Sequence, residues 1–263
     1  MSRQNRLDQI LEFVLESGWI EVEEAAERLG VSNATVRRDL DLLASRQLVN
    51  RTHGGATATG GSFRLPLAYK VAKGDDVKKR IASYCATLVA RHQVVGLNGG
   101  TTTTELARAL AASSEFIAGD AGEPPALTVV TNALNIATEL TVRHQIKIVV
   151  TGGVARPQSY ELTGPYAETV LSEVMIDIAF IGVESISVSD GAGASHEDEA
   201  RVNRQILDRA RKVVVITDSS KFLSYSFARI CDLEQISTIV TDDGLNPKTR
   251  KELVKRGVEV VIT

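Results

Sequence analysis

Val31-Ser32-Asn33-Ala34-Thr35-Val36-Arg37-Arg38-Asp39-Leu40 begins a stretch that runs on through Asp41-Leu42-Leu43-Ala44-Ser45-Arg46-Gln47-Leu48-Val49-Asn50-Arg51-Thr52-His53-Gly54-Gly55-Ala56. Ser32 stands where a helix N-cap belongs, and Val36, Leu40 and Leu43 form an inward stripe at helical spacing, which predicts a helix ending near Arg46. After it, Leu48 to His53 alternates weakly and is β-branched enough for a strand, with Gly54-Gly55 closing it as a hairpin turn would. That strand is a candidate wing.

Upstream, Leu7, Ile10, Leu11, Val14 and Leu15 repeat at the spacing of one helix face, and Gly18 follows where the helix should stop. Val22, Ala25, Ala26 and Leu29 mark a second, shorter helix ended by Gly30. Three helices in this order make a helix-turn-helix. Charge is segregated along the same segment: the acids Asp8, Glu12, Glu16, Glu21, Glu23, Glu24 and Glu27 precede Gly30, whereas Arg37, Arg38, Arg46, Arg51 and His53 follow it against Asp39 and Asp41 alone. One face of residues 1–58 can therefore be basic, although the whole chain has a net charge of -3 and would fail a test of overall basicity for nucleic-acid binding.

Residues 59–76 hold Gly, Ala, Lys and one proline, Pro66, without periodicity, and read as a linker with a short anchor at Phe63 to Tyr69. From about residue 77 to 263 the pattern changes. Apolar, β-branched runs at 94–97, 127–131, 146–151, 176–181, 213–217, 236–241 and 258–262 alternate with helical stretches near 78–91, 102–112, 133–141, 165–174, 197–211 and 247–256. Uninterrupted apolar strands separated by helices predict a mostly parallel sheet covered on both faces, so the expected fold class is α/β with an amino-terminal winged helix-turn-helix.

Two motifs can carry chemistry. The first is the start of the third helix, since base edges in the major groove are reached from the N-terminal part of such a helix and arginine offers a fork to guanine or a clamp on phosphate. The competing reading makes Arg37-Arg38 a solvated face paired with Asp39 or Asp41. The second is Val94-Val95-Gly96-Leu97-Asn98-Gly99-Gly100-Thr101-Thr102-Thr103-Thr104, a strand leading through small residues into a helix. Backbone N–H groups at such a helix start favour an anion, and a phosphate is the natural guest. Neither a Walker loop nor a dinucleotide fingerprint is present, and the competing reading is a tight turn with a helix cap.

Val31 to Ala56 closely resembles the amino-terminal signature of the DeoR family of bacterial transcriptional regulators, and the resemblance is dense over residues 6–56. It implies a winged helix-turn-helix joined to a sugar-phosphate sensor whose fold is shared with ribose-phosphate isomerase and glucosamine-phosphate deaminase. Gln47 departs from the family's usual glycine, and Asn98-Gly99 stands where Asp-Ser is usual, which removes a charge near the ligand. The implied partners are double-stranded operator DNA and a phosphorylated sugar, and because one small winged module makes few base contacts, pairing of modules in a homo-oligomer is expected. Ser32, Asn33, Thr35, Arg37, Arg38, Arg51 and His53 are the expected DNA-contacting residues.

The expected effector contacts are Asn98, Gly99, Gly100, Thr101, Thr102 and Thr103, with Asn132, Asp177 and Lys221 contributing. In a parallel sheet ligands lie beyond the carboxyl ends of strands, where Asn98, Asn132, Gly152, Gly182 and Asp218 would collect, and Lys221 would supply a cation. Asp190 to Glu199 tempts an enzymatic reading, an isomerase or deaminase fused to a DNA module. It also reads as a Gly-rich loop entering a helix capped by Ser195, with acids placed for the helix dipole. No catalytic set, metal site or cofactor is called for. Cys85 and Cys231 read as core thiols, hydrophobic residues at 43% exclude a disordered chain, and with no apolar run approaching a membrane span the expected compartment is the cytoplasm.

Overall fold

Gly18 and Gly30 take φ values of 79° and 64°, left-handed values that end the first two helices where the sequence predicts. The computed structural model describes residues 2–45, 48–58, 76–116 and 124–263, apart from the side chains of residues 4, 15, 16 and 58. The chain divides into two units, Met1–Tyr69 and Lys70–Thr263. The predicted linker up to residue 75, its Phe63 to Tyr69 anchor, the helix end at Arg46, the Gln47 turn and the side chain of Leu15 all lie outside the described residues, and Asp76, expected as linker, opens the next helix.

In the first unit α1 (Arg3–Ser17) is followed by β1 (Trp19–Glu21), α2 (Val22–Leu29), α3 (Asn33–Ser45), β2 (Val49–Arg51) and β3 (Gly55–Ala58). Leu7, Ile10, Leu11, Val14, Val22, Ala25, Ala26, Val36, Leu40 and Leu43 are buried together with Ile20, Val49 and Ala56. The predicted stripes thus meet in one core, with Leu29 partly buried at its edge. β1 is an addition to the predicted elements. It pairs antiparallel with β3, which lies between β1 and β2. Gly55 accordingly belongs to a strand and not to the expected Gly54-Gly55 turn, and the hairpin turns through residues 52–54. A Cβ at position 55 would stand 1.9 Å from the Ile20 carbonyl oxygen, so only glycine lets β3 lie against β1.

The second unit continues with α4 (Asp76–Ala86), β4 (Val94–Leu97), α5 (Thr101–Ala112), β5 (Leu127–Thr131), α6 (Leu134–Thr141), β6 (Ile146–Val150), β7 (Val154–Ala155), β8 (Leu162–Thr163) and α7 (Tyr166–Ser172). It closes with β9 (Ile176–Gly182), β10 (Ser185–Ser187), β11 (Gly191–Ala194), α8 (Glu197–Asp208), β12 (Ala210–Ile216), β13 (Ala228–Cys231), β14 (Thr238–Thr241), α9 (Pro247–Lys255) and β15 (Glu259–Ile262). Seven strands form a wholly parallel sheet in the order β15-β14-β12-β9-β4-β5-β6. The order reverses direction between β4 and β9, which makes their carboxyl ends the switch point where such sheets open a ligand crevice.

Both faces of the sheet are covered. Ile81, Cys85, Leu106, Leu110, Ile136 and Leu140 from α4, α5 and α6 pack with Leu97, Val129, Phe180 and Val214. Leu171, Val202, Ile206 and Leu253 from α7, α8 and α9 pack with Ile176, Ile181 and Val215 on the other side. Two predicted boundaries move: α4 ends at Ala86 rather than at 91, and Gly191–Ala194, expected as loop, is a buried strand of a three-stranded antiparallel sheet with β10 and β13. Ser195 is not the cap of α8. His196 holds that position, and the Ser195 N–H donates to Glu184 Oε2 at 2.6 Å.

Candidate functional site

Ser32 caps α3 as its position predicts, its Oγ accepting from the Thr35 N–H at 3.2 Å and lying 2.9 Å from the Thr35 hydroxyl. Both side chains are therefore engaged in building the helix start, while Asn33, Arg37 and Arg38 are exposed. The reading in which the two arginines pair with Asp39 or Asp41 fails. Asp39 is buried and held from α1 by Arg6, whose Nε lies 2.5 Å from Oδ2, and by Arg3 at 3.5 Å. Asp41 is taken by Arg51 at 2.8 Å. Among the described residues Arg37 and Arg38 have no acidic partner, so two guanidinium groups one turn into the helix stand ready for an anion.

Arg51 is placed differently from the expectation. Besides Asp41 it donates to the carbonyls of Thr52 and Gly55, and it ties the hairpin to α3 rather than projecting from it. His53 is exposed at the hairpin tip. Of the expected DNA-contacting set, the structure leaves Asn33, Arg37, Arg38 and His53 outward and uses Ser32, Thr35 and Arg51 internally.

At the switch point of the second unit, Asn98 follows β4 and Gly182 ends β9. The Asn98 amide donates to the Gly182 carbonyl at 2.9 Å, and the Gly182 N–H donates to Asn98 Oδ1 at 2.8 Å. Asn98 is buried and fully used as a stitch between the two strands. A carboxylate could accept the second of these bonds and could not make the first. Gly100 then enters α5 with φ 141°, a value closed to most side chains, and offers no side-chain cap. The hydroxyls of Thr103 and Thr104 turn back onto the Gly100 carbonyl at 3.1 and 2.6 Å. The first N–H groups of the helix have no intrahelical acceptor and lie at the positive end of the helix dipole.

The remaining expected residues divide. Asn132, at the end of β5, is fully buried; its amide donates to Asn203 Oδ1 at 3.3 Å, and the Asn132 carbonyl accepts from the Leu162 N–H at 2.7 Å. It supports the crevice wall. Lys221 follows β12 in a short 3-10 turn (Ser219–Leu223), half-buried and with no carboxylate partner among the described residues. Asp218 instead caps that turn by accepting from the Ser220 N–H and hydroxyl. Asp177 is a correction. It sits at the amino end of β9 and accepts from the Val94 N–H at 2.9 Å at the start of β4, on the sheet edge opposite the crevice.

Four further side chains at the crevice lie outside the predicted set: Glu161, Glu184, Glu199 and Asn203. Glu161 Oε1 accepts from the Gly99 N–H at 2.7 Å. Burial and the neighbouring Glu199 push its carboxyl up to about 8. Glu199 is buried and paired with Arg156 at 2.8 Å, not merely set at a helix start for the dipole. Glu199 and Asn203 recur one turn apart on the buried face of α8, the one periodic signal that could have located them. Among the described residues no three His, Cys, Asp or Glu side chains gather as metal ligands, and no helix is long and apolar enough to cross a membrane.

A winged helix-turn-helix with exposed arginines on its third helix, followed by a doubly wound unit whose strand order reverses between β4 and β9, defines a DNA-binding regulator with a sensor. Comparison with known proteins gives the family. The DeoR-like helix-turn-helix domain matches residues 6–60 and the DeoR C-terminal sensor domain matches residues 74–243. The chain is 34% identical to the HTH-type transcriptional regulator GlpR of Haloferax volcanii over 257 residues, 97% of this chain and 96% of that protein. It is 30% identical to the glycerol-3-phosphate regulon repressor of Escherichia coli K12 over 243 residues, 92% of each chain. Ribose 5-phosphate isomerase A of Methanocaldococcus jannaschii aligns at 19% identity with a TM-score of 0.40 over 56% of this chain and 53% of its own. The chain belongs to the DeoR family of transcriptional regulators and is a DNA-binding protein rather than an enzyme.

Proposed function

We propose that this regulator is a repressor of carbohydrate genes that binds its operator through residues 1–58 and releases it when a phosphorylated sugar enters the crevice of residues 77–263, with 59–76 as the linker. The observation that carries the sensor half is the start of α5 at the switch point, where Gly99, Gly100, Thr101, Thr102 and Thr103 set backbone N–H groups within a domain that matches the family's sensor. The phosphate lies on those groups, Lys221 supplies a cation, and Asn98 and Asn132 hold the walls. Asp177 has no part in it.

On the DNA side Asn33, Arg37 and Arg38 enter the groove and clamp phosphates, Ser32 and Thr35 fix the helix start, and His53 at the wing tip touches the backbone. Arg51 acts by holding the wing. One small winged module makes few base contacts, so the protein works as a homo-oligomer on a repeated or palindromic site, and it does so in the cytoplasm where the operator is. Leu223, Tyr225 and Phe227, 91%, 84% and 77% exposed within five residues of the sensor unit, are the natural patch for a second copy.

The mechanism is a shift between arrangements. The effector releases DNA only if it binds sensor arrangements that mis-space the DNA units better than those that space them correctly. Fluorescence anisotropy with the DNA upstream of the protein's own gene, titrated with a panel of sugar phosphates, tests the reading. Release by one phosphorylated sugar and by none of the unphosphorylated sugars is expected. Thr101→Glu, which puts a favourable acid at the helix start but repels a phosphate, should keep operator binding and lose release. Release that persists in this variant counts against the cradle, and product formed from the effector would restore the enzyme reading.

A further inference from the structure

The Gly99 N–H, first donor of the cradle, is already engaged by a carboxyl group. Glu161 is 3% exposed, its Oε1 sits 2.7 Å from that nitrogen, and a Cβ on residue 99 would stand 2.4 Å from Glu161 Cγ. The close fit depends on glycine at 99, where this chain departs from the family's usual serine. Glu161 arrives from Tyr160, whose φ of 58° is left-handed for a tyrosine, and the backbone there is fastened by the Tyr160 carbonyl to Leu134 N and by the Glu161 carbonyl to Arg156 N. The Asn203 amide also bonds the carboxyl. Behind Asn203 the side-chain oxygen of Asn132 is fully buried with no donor among the described residues, so the polar network is one partner short.

We propose that Glu161 is an internal competitor for the effector: a phosphate that takes the Gly99 N–H must displace the Glu161 carboxyl, so this residue sets effector affinity and couples binding to movement of residues 156–163. The proposal rests on the reading of the α5 start as the phosphate site. With Glu161 Oε1 at 2.7 Å the Gly99 N–H is already spent on one acceptor, so the carboxyl and a phosphate oxygen cannot both hold it. The charged groups facing Glu161 are Glu199 from α8 and Glu184 after β9, with Arg156 paired to Glu199. Burial first, and then two acids against one engaged cation, keep the carboxyl protonated at neutral pH. Once displaced into water it returns toward its ordinary range of about 4.3 and gives up that proton, so the native chain releases a proton on binding beyond any that the phosphate itself loses.

Isothermal titration of inorganic phosphate into the full-length protein at pH 7.5, in two buffers of different ionisation enthalpy, tests this with Glu161→Gln and Glu161→Ser beside the native chain. Glu161→Ser frees the N–H and should bind at least about tenfold more tightly. Glu161→Gln keeps the shape and an acceptor for Gly99, so it should bind within about threefold of the native chain while losing up to one released proton. Because the glutamine variant preserves the packing, a proton count that falls with the fold intact supports displacement. Equal affinity and equal proton counts in all three proteins overturn the role of Glu161 alone. Failure of all three to bind phosphate, with operator release by a sugar phosphate intact, overturns the cradle itself and the proposal with it.

Discussion

Two helix starts carry the chemistry of this protein, and they are finished in opposite ways. α3 begins on Ser32, which caps it locally, and among the described residues the two acids beside its arginines are committed elsewhere: Asp39 to Arg6 and Arg3, Asp41 to Arg51. Arg37 and Arg38 are left open. α5 begins on Gly100 without a side-chain cap, and the donor just before it is covered by a distant carboxyl, Glu161. The first site is made available by satisfying its competitors. The second is held by a competitor of its own, so it needs a ligand able to win the exchange.

The comparison breaks most visibly at Arg6. Arg6→Ala leaves the buried Asp39 with only the exposed Arg3, and the DNA-binding unit should lose roughly 3–5 kcal/mol, read by chemical denaturation of the full chain. If stability is unchanged, Asp39 is not a committed acid and the account of free arginines fails. Next in size, Arg38→Ala should leave stability unaltered and weaken operator binding by about 1–3 kcal/mol for a base contact, or reduce the salt slope by about one for a phosphate contact. An unchanged isotherm removes Arg38 from the interface. Ser32→Ala should cost about 1 kcal/mol through loss of the cap. Arg51→Ala, losing a largely exposed pair, should cost about 0.2–1 kcal/mol and leave the salt slope alone.

The sensor side is sharpened by pH. An unfolded glutamate titrates near ~4.3, whereas folded Glu161 titrates at about 8. Between these values the folded state holds the extra proton, so the stability of the sensor unit should fall as pH rises through the window and level off above it. Thermal unfolding of Glu161→Gln from pH 4.5 to 8.5 should show a shallower fall than the native chain, with the gap widest at the alkaline end. Parallel curves would mean that Glu161 is charged in the fold.

Much of this architecture is legible in the residues alone. Leu7 to Val14, Val36 to Leu43 and the seven apolar runs announce themselves because one periodicity survives along each element, and the parallel-sheet rule gathers Asn98, Asn132 and Gly182 at one edge. The same rule, applied to Ile176–Gly182, puts Asp177 at the wrong end of its strand. β1 is silent in the sequence because three residues between Gly18 and a helix carry no pattern, and β11 because Gly-Ala-Gly-Ala has none of the bulk that marks a strand. Glu161 is illegible for a different reason. Its burial is made by Gly99, Asn203 and Glu199, which are remote in sequence, and a lone acid in a loop ordinarily faces water.

Gly55 fixes how the wing can be tuned. Where another residue would carry a carbon, β3 presents a hydrogen to the Ile20 carbonyl, and that closeness sets the pitch of the hairpin against the helices. A methyl group there would act as a wedge beside the turn, and His53, two residues away, would shift with it. Substitutions at 52–54 can therefore change what the tip touches, but re-aiming it requires rebuilding the strand at 19–21.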